Sequence, residues 1–559
     1  MLNIQPQYLA LNKLLLGRLF KIPEYQRAYS WTKHQRDDLF SDLLKTHAAG
    51  KDEVHFMAAM VCLRRDKQEL GTDEYQVLEV VDGQQRLTTL IILLKAICIA
   101  LDRSVKDEEK LYLELSDLLV KPEGGELLLL QTNHDSSHYF ANYLRHGARV
   151  ASKIAATIAD REILEAIESC HGFVESWSTG DRTLLSLASL LKNKLYFLLH
   201  EIDQERTVYT VFEVLNSRGL TVSWLDRLKS ILMGMAFDMP KANAPGVIRE
   251  LHSIWRDIYS SIGLRQGLST EALRFAATLQ SKSAPSRPLS EEDAVEALRA
   301  TGAVSAAALR QVAAWLLDCT NACDSVLANT RLNAVTRISQ ARLLAVAIAL
   351  RTDFTESERD GLLKRWERVT FRIYGMLGND ARTRVGDYVR LAWRVINEQP
   401  KFKEIDQAIC DIGSEFPIDE AIKALRGADC YDGWERELRY MMFRYEEYLA
   451  KLKGMRFKNE QWAKIWLASP SDSIEHIFPK SRGPVKAKNR LGNLVLLPPN
   501  LNSQLQDKMP KDKADAYRDT GLLIAVDVAK AIEREGWLAK SIVEREDSIL
   551  EWAKTEWGD

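Results

Sequence analysis

The chain has 559 residues, a formal net charge of −2 and apolar residues at 46% of its positions. These values are typical of a soluble globular protein of about three domains, and they exclude DNA binding through a global basic field while leaving a local basic groove open. The seven cysteines are dispersed, and the segment Met1–Gln5 lacks a basic region that leads into an apolar run. We therefore expect a cytoplasmic protein without disulfides, signal peptide or membrane span.

The first 240 residues alternate between patterns typical of helices and of strands. The segment from Leu9 to Leu19 has the spacing of an amphipathic helix, and Thr32 is a plausible N-cap of a second helix. Apolar runs flanked by charge predict strands at His55–Leu63, Tyr75–Val81 and Leu195–Ile202. This part of the chain is therefore expected to combine a sheet with helices.

The second predicted strand leads into Asp82-Gly83-Gln84-Gln85-Arg86, and a strongly apolar helix follows from about Gln85 to Leu101. A strand, a tight glycine turn and a helix start present free N–H groups and a positive dipole end to an anion. Arg86 can add a bidentate phosphate contact. The alternative is that Asp82 only caps the helix while Gly83 makes the turn. A P-loop NTPase is excluded, because the sequence has no G-x-x-x-x-G-K-[ST].

Two other N-terminal clusters carry side chains suited to recognition. Tyr25, Gln26 and Arg27 lie in an aromatic segment that ends at Trp31, and Asn216 and Arg218 lie in a polar turn between apolar elements. Both clusters also fit ordinary connections, the first an aromatic-anchored loop and the second a helix–loop–helix connector.

From 241 to 430 the pattern is almost wholly helical, with a linker at Gln280–Glu292. Arginines recur through its last helices and indicate either a phosphate-facing surface or solvated, salt-bridged helix faces. They are Arg365, Arg368, Arg372, Arg382, Arg384, Arg390 and Arg394. From 431 to 559, helices are expected at Glu435–Lys453, Ala514–Tyr517, Ile524–Trp537 and Ala539–Trp557.

The sharpest chemistry lies at Glu475-His476, which precedes Asn493, Asn502 and Lys508. Phosphodiester hydrolysis needs an activated water and a cation, and a histidine can take the proton of that water at neutral pH. Glu475 and Asn502 offer the oxygen ligands that Mg²⁺ prefers, Asn493 can orient His476, and Lys508 can meet a phosphate. Neighbours on a strand point to opposite faces, so the two side chains of Glu475-His476 are expected to diverge.

Lys486, Lys488 and Arg490 lie between these motifs and supply positive charge for a nucleic-acid backbone. The alternative interpretation of the whole stretch is a strand histidine in a hairpin, with asparagines in its turns.

The C-terminal constellation resembles the HNH (ββα-metal) nuclease motif in its His-Asn-Asn form. Three N-terminal motifs resemble the companion domain of such nucleases: I-P-x-Y-Q-R-x-Y-x-W at Ile22–Trp31, D-G-Q-Q-R at Asp82–Arg86, and L-N-S-R-G-L followed by D-R-L-K at Leu215–Lys229. The chain thereby resembles the GmrSD-type, modification-dependent (type IV) restriction endonucleases.

This resemblance implies an α+β, predominantly helical fold. Residues 1–240 would form a ParB/sulfiredoxin-like α/β domain, 241–430 a helical linker domain, and 431–559 an HNH nuclease domain of the ββα-metal type. Glu475 and Asn502 would bind Mg²⁺ or Mn²⁺, His476 would be the general base, and Asn493 would hold the active-site loop. The implied residues for a nucleotide, GTP or ATP, are Tyr25, Gln26, Arg27, Asp82, Gly83, Gln84, Gln85, Arg86, Asn216 and Arg218.

The implied activity is metal-dependent cleavage of foreign, modified phage DNA, gated by a nucleotide-binding or NTP-hydrolysing N-terminal domain. One alternative is a nucleotide-dependent, DNA-binding regulatory protein whose HNH site is inactive. Another is a nuclease that acts on RNA. The oligomeric state is left open, and a homodimer is one alternative.

Overall fold

The computed structural model describes residues 6–23, 26, 28–50, 53–121, 127–132, 137–178, 182–203, 223–237, 244–265, 267–335, 338–455, 469–482 and 487–558. This part of the chain is mostly helical with a small mixed sheet, which agrees with the α+β prediction. It separates into two compact units: unit 1 comprises Met1–Leu273 and Glu291–Thr320, and unit 2 comprises Arg274–Ser290 and Asn321–Asp559. The three-domain division stays a prediction. Among the described helices, none combines the length and apolar character that crossing a bilayer requires.

Unit 1 contains a six-stranded mixed sheet. Its strands and a separate two-stranded pair are β1 (Gln7–Ala10), β2 (Arg18–Ile22), β3 (His55–Leu70), β4 (Asp73–Asp82), β5 (Val120–Lys121), β6 (Leu127–Leu128), β7 (Leu130–Thr132) and β8 (Leu195–Ile202). The sheet order is β1-β8-β3-β4-β2-β7, and β5 pairs with β6. The long β3 runs parallel to β8 and antiparallel to β4, so the end of β4 lies in the middle of the sheet.

The helices up to residue 328 follow in chain order. They are α1 (Leu11–Leu15), α2 (Lys33–Ala48), α3 (Gln84–Ala100), α4 (Lys106–Leu119), α5 (Ser137–His146), α6 (Ile158–Trp177), α7 (Leu184–Lys194), α8 (Trp224–Phe237), α9 (Ala244–Ile262), α10 (Leu268–Leu279), α11 (Glu291–Gly302) and α12 (Ala306–Ala328). Because α3 is apolar on nearly every side, it lies inside the unit and packs against α4 and α6. The helix predicted after the Asp82–Arg86 turn is thus confirmed.

The three strands predicted in unit 1 are confirmed, but the amphipathic helix predicted from Leu9 to Leu19 is wrong. Strand β1 ends at Ala10, α1 has only five residues, and β2 begins at Arg18. The strands form because β1 pairs with β8, and β2 pairs with both β4 and β7. The leucine spacing therefore produces a helix over only about one turn, at Leu11–Leu15. Pairing with distant strands determines the backbone on either side of it.

The remaining elements follow in chain order. They are α13 (Thr330–Val335), α14 (Ser339–Ala349), α15 (Glu356–Thr370), α16 (Val385–Asn397), α17 (Phe402–Gly413), α18 (Ile418–Leu425), α19 (Glu435–Leu452), β9 (Ile474–His476), β10 (Leu494–Leu496), α20 (Pro499–Leu505), α21 (Pro510–Asp519), α22 (Leu523–Glu535) and α23 (Ala539–Trp557). A π-helical turn, Phe371–Met376, continues α15. The predicted linker is confirmed between α10 and α11.

The recurrent arginines of unit 2 mostly serve the fold. Arg365 pairs with Asp406, and Arg394 pairs with Glu398 one helical turn away. Arg372 is buried and donates to the backbone carbonyl of Trp557 at 3.1 Å. For these three arginines the structure favours salt-bridged and buried roles over a phosphate-facing surface.

Strands β9 and β10 form a short antiparallel ribbon in unit 2, with His476 opposite Leu494 and Glu475 opposite Val495. All six ribbon residues are buried. Helices α19 and α22 pack against β10, and α20 follows the ribbon in the chain and packs against β9. The ribbon is thus held from several sides, which keeps its side chains in fixed directions.

Candidate functional site

The ribbon directs its two chemically active side chains to opposite faces, as the sequence predicts for neighbours on a strand. On one face Glu475 meets Lys513 and Tyr517 of α21. On the other face His476 meets Asn489 and Tyr431. The two residues therefore lie in different environments although they are adjacent in the chain.

Glu475 is buried in an ion pair. Its Oε1 accepts a hydrogen bond from Nζ of the fully buried Lys513, which also donates to the backbone carbonyl of His476 at 2.8 Å. The Tyr517 hydroxyl lies 3.4 Å from the same carboxylate oxygen. Burial raises the pKa of Glu475 above its usual range, although the Lys513 ammonium opposes that shift.

His476 is also buried, and one edge of its ring is hydrogen-bonded. Its Nε2 lies 3.1 Å from Oδ1 of Asn489. The ring packs edge-on against Tyr431, with the two centroids 4.7 Å apart. Burial lowers the pKa of His476 to about 4, although the Asn489 contact opposes that shift. The imidazole is therefore neutral at pH 7.

Asn489 connects His476 to two carboxylates that the sequence analysis missed. Its Nδ2 donates to Oδ2 of Asp429 at 2.8 Å and to Oδ2 of Asp432 at 3.1 Å. The backbone carbonyl of Asn489 accepts a hydrogen bond from Cys430 N–H at 2.8 Å. Both the side chain and the backbone of Asn489 are therefore bonded to the segment 429–432. Only the D-x-x-D spacing of this segment is visible in the sequence, and it lies more than 40 residues before His476.

Asn493 is fully buried and joins the two ends of the loop between β9 and β10. Its Oδ1 accepts from Phe478 N–H at 2.9 Å, and its Nδ2 donates to the carbonyls of Phe478 and Lys488 at 3.0 and 2.8 Å. This amide therefore positions the loop, whereas the amide that contacts His476 is that of Asn489.

Gly492 and Arg545 explain why helix α23 packs so closely on the start of β10. A Cβ atom on Gly492 would lie 1.8 Å from the Ile542 carbonyl oxygen, so only glycine fits there. The guanidinium of Arg545 donates to the carbonyls of Gly492 and Leu494 at 2.9 and 2.8 Å. Helix α23 thereby fixes the turn Leu491–Asn493, which leads into β10.

The other predicted C-terminal residues that the structure describes have surroundings of their own. Asn502 lies on α20 and donates to the carbonyls of Asp472 and Ile474 at 2.9 and 3.0 Å. Lys508 is exposed between α20 and α21, and Lys488 is partly buried in the loop before β10. Arg490 pairs with the buried carboxylate of Glu546, with Nε and Oε2 3.1 Å apart. Lys486 lies outside the described residues.

Glu475 and Asn502 offer a divalent metal ion a carboxylate and an amide oxygen, but in this structure the Glu475 carboxylate is paired with Lys513. The Lys513 ammonium already neutralises the Glu475 carboxylate, and the Asn502 amide is turned so that its nitrogen faces backbone carbonyls. In the part of the chain that the structure describes, no three His, Cys, Asp or Glu side chains converge to hold a metal. Metal binding by Glu475 and Asn502 stays a prediction, and it requires the Glu475–Lys513 pair to open.

In unit 1, two of the predicted nucleotide-site residues connect the segment before Trp31 to the turn after β4. The amide of Gln26 is buried and donates to the Val81 carbonyl at 2.8 Å. Gln85 accepts from Ser30 N–H at 2.8 Å and donates to the Ala28 carbonyl at 3.1 Å. The Gln26 amide therefore binds the backbone of β4, and the Gln85 amide binds the backbone of the segment before Trp31.

The Asp82–Arg86 turn has the geometry that its sequence predicts. Gly83 has a φ of +94°, a left-handed conformation that favours glycine, and it is the N-cap of α3. Asp82 ends β4, so the N-cap position belongs to Gly83, and Gln84 is buried in the first turn of α3. The Arg86 guanidinium lies over the Trp31 ring, 5.9 Å from its centroid. Tyr25, Arg27, Asn216 and Arg218 lie outside the described residues.

Two protein-family models match this chain. The model of the GmrSD restriction endonuclease N-terminal domain matches residues 10–233, and that of the GmrSD restriction endonuclease C-terminal domain matches residues 416–552. Comparison with curated protein sequences gives no match. The two family matches lie in the expected order, cover well over half of the chain, and include both the Asp82–Arg86 turn and the β9–β10 ribbon. The chain belongs to the GmrSD family of restriction endonucleases, nucleases of phage defence that act on DNA.

Proposed function

We propose that this protein hydrolyses phosphodiester bonds of foreign DNA at an HNH-type site on the β9–β10 ribbon, with His476 as the general base. The observation that supports this most directly is the environment of His476. Its imidazole is neutral at pH 7, and one ring nitrogen is hydrogen-bonded to Asn489. The second ring nitrogen is then available to take a proton.

In the proposed reaction, a water molecule loses a proton to His476 while its oxygen forms a bond to phosphorus. The bond from phosphorus to the leaving deoxyribose oxygen breaks, and that oxygen takes a proton from solvent. A positioned base of this kind typically contributes about 10²–10⁴-fold to a rate. The Asn493 bridge keeps the loop after His476 in place, so that the histidine meets the phosphate in a defined direction.

A requirement for Mg²⁺ or Mn²⁺ is part of the proposal, with Glu475 and Asn502 as the residues that would hold the ion. The ion would stabilise negative charge on the phosphate oxygens. Cleavage in EDTA, followed by addition of Mg²⁺ or Mn²⁺, tests this requirement. Undiminished cleavage in EDTA would refute the metal requirement.

Nucleotide gating by unit 1 is a separate part of the proposal. The positive dipole end of α3 and the Arg86 guanidinium in its first turn are suited to phosphate binding. We expect Arg86→Ala to weaken GTP or ATP binding at least tenfold, with Arg103→Ala as the matched control, since Arg103 packs over Tyr112 elsewhere in unit 1. Equal affinity of wild type and Arg86→Ala for both nucleotides would contradict this role.

The substrate is tested by incubating the purified chain with modified phage DNA, unmodified DNA of the same sequence, and total RNA. Each reaction is run with and without nucleotide and divalent metal. We expect cleavage of the modified DNA. Cleavage of RNA alone would favour the RNA nuclease, and nucleotide-dependent DNA binding without any cleavage would favour the regulatory protein with an inactive site.

A further inference from the structure

We infer that Asn489, held by Asp429 and Asp432, fixes the tautomer of His476, so that Nε2 carries the ring proton and Nδ1 is the nitrogen that accepts a proton. The hydrogen-bond geometry carries this inference by itself, and its meaning for catalysis depends on the proposed function. Asn489, Asp429 and Asp432 are positioning residues, because they act through His476.

The two carboxylates determine which way the Asn489 amide faces. An amide nitrogen has two N–H donors, and here one donates to each of Asp429 and Asp432. A flipped amide would place its carbonyl oxygen against two carboxylate oxygens, which repel it. The nitrogen must therefore face the carboxylates, and Oδ1 must face His476.

Asp429 is itself held in place. Its Oδ1 accepts from the backbone N–H groups of Tyr431 and Asp432 at 3.0 and 3.1 Å, which leaves Oδ2 for Asn489. Its pKa is lowered: burial opposes ionisation, but the hydrogen bonds from Asn489 and these backbone groups outweigh it. The carboxylate is therefore ionised at neutral pH and can only accept from Asn489.

Since Oδ1 of Asn489 can only accept, the neutral His476 ring must donate from Nε2. The other groups near the ring do not reverse this assignment. Tyr431 meets it edge-on, Lys480 lies over the Tyr431 ring and 3.5 Å from Asp432, and Lys513 bonds to the backbone of His476. Neither lysine can accept a hydrogen bond from Nε2.

The consequence for the reaction concerns the protonated ring. When Nδ1 takes a proton, Nε2–H keeps its bond to Asn489, and the two carboxylates behind that amide favour the positive ring. This is the logic by which a third group orients the base of a hydrolase. Here an amide lies between the histidine and the carboxylates, and the carboxylates come from the segment before α19 rather than from the ribbon.

The tautomer can be read directly by NMR of protein with ¹⁵N-labelled histidine, because protonated and unprotonated ring nitrogens have distinct shifts. His476→Gln identifies the His476 signals. We expect the Nε2–H form alone in wild type at pH 7. The double variant Asp429→Ala/Asp432→Ala frees the Asn489 amide to rotate, so the Nδ1–H form should appear. The control double variant Asp515→Ala/Asp527→Ala removes two exposed carboxylates elsewhere in unit 2 and should keep the wild-type signals.

A rescue variant separates positioning from general damage to the fold. Adding Asn489→Asp to the Asp429→Ala/Asp432→Ala background supplies a side chain that can only accept, so it should restore the Nε2–H form. A wild-type ring in the Nδ1–H form or doubly protonated at pH 7 would overturn the inference, as would an unchanged tautomer in the double variant.

Kinetics then connect the tautomer to the reaction. We expect Asn489→Leu to lower kcat at least about tenfold while KM stays within about twofold, within the range for loss of an oriented base. A normal kcat in Asn489→Leu would overturn the positioning role. Failure of the wild-type enzyme to cut any nucleic acid would refute the proposed function alone, because the NMR result does not depend on activity.

Discussion

At the scale of single residues, the ion pair between Glu475 and Lys513 is buried on both sides, so breaking it should lower stability strongly. Lys513→Met would leave the Glu475 carboxylate buried without its cation, and breaking such a pair typically costs about 3–5 kcal/mol of unfolding free energy. We expect Glu475→Gln/Lys513→Met to lose less than Lys513→Met alone, because it leaves no unpaired charge. Denaturant unfolding of wild type and these two variants measures this, and a loss in the double variant at least as large as that in Lys513→Met would contradict it.

Sequence reasoning reached some of these residues and missed others for a physical reason. Neighbours on a strand diverge, so the separation of Glu475 and His476 was predictable. The partners they find, Lys513 on one side and Asn489 on the other, depend on how α21 and the loop before β10 pack against the ribbon. Nothing local in the sequence encodes that packing.

At the scale of elements, the close approach of α23 to β10 depends on Gly492. A methyl group there would meet the backbone of Ile542, which cannot move without shifting the helix. We expect Gly492→Ala to lower the unfolding free energy by about 2 kcal/mol or more, by analogy with overpacked cores. The control is Gly172→Ala in α6, which meets open space and should be neutral or stabilising. Equal thermal midpoints for the two variants would contradict this explanation.

Helix α22 begins on a carboxylate supplied by α19. Both oxygens of the buried Glu446 accept backbone N–H groups, from Leu523 and Ile524, each at 2.7 Å. In Glu446→Gln only one oxygen remains to accept, so we expect a loss of about 1–3 kcal/mol. Glu447→Gln, which removes only a partly exposed contact with Arg444, should cost less than about 1 kcal/mol. Chemical unfolding that ranks these variants in the opposite order would refute the capping role.

At the scale of the whole molecule, the sequence predicted long or strongly patterned elements well. Helix α3 is apolar on nearly every side, and α23 begins and ends where its pattern predicts. The error at Leu9–Leu19 arose where strand partners are distant in the chain, since β1 pairs with β8 almost 190 residues later. The same holds for the candidate site. Its motif residues could be recognised in the sequence, whereas Asp429, Asp432 and Lys513 were found only from their contacts in the folded chain.

The central claim, that the β9–β10 ribbon carries the nuclease activity, is tested most directly by cleavage of modified phage DNA by wild type, His476→Ala and His34→Gln. His34 is exposed on α2 in unit 1 and serves as the control. We predict that His476→Ala lowers the cleavage rate by about 10²-fold or more while its thermal midpoint stays close to that of wild type. Cleavage by His476→Ala at the wild-type rate would contradict the account.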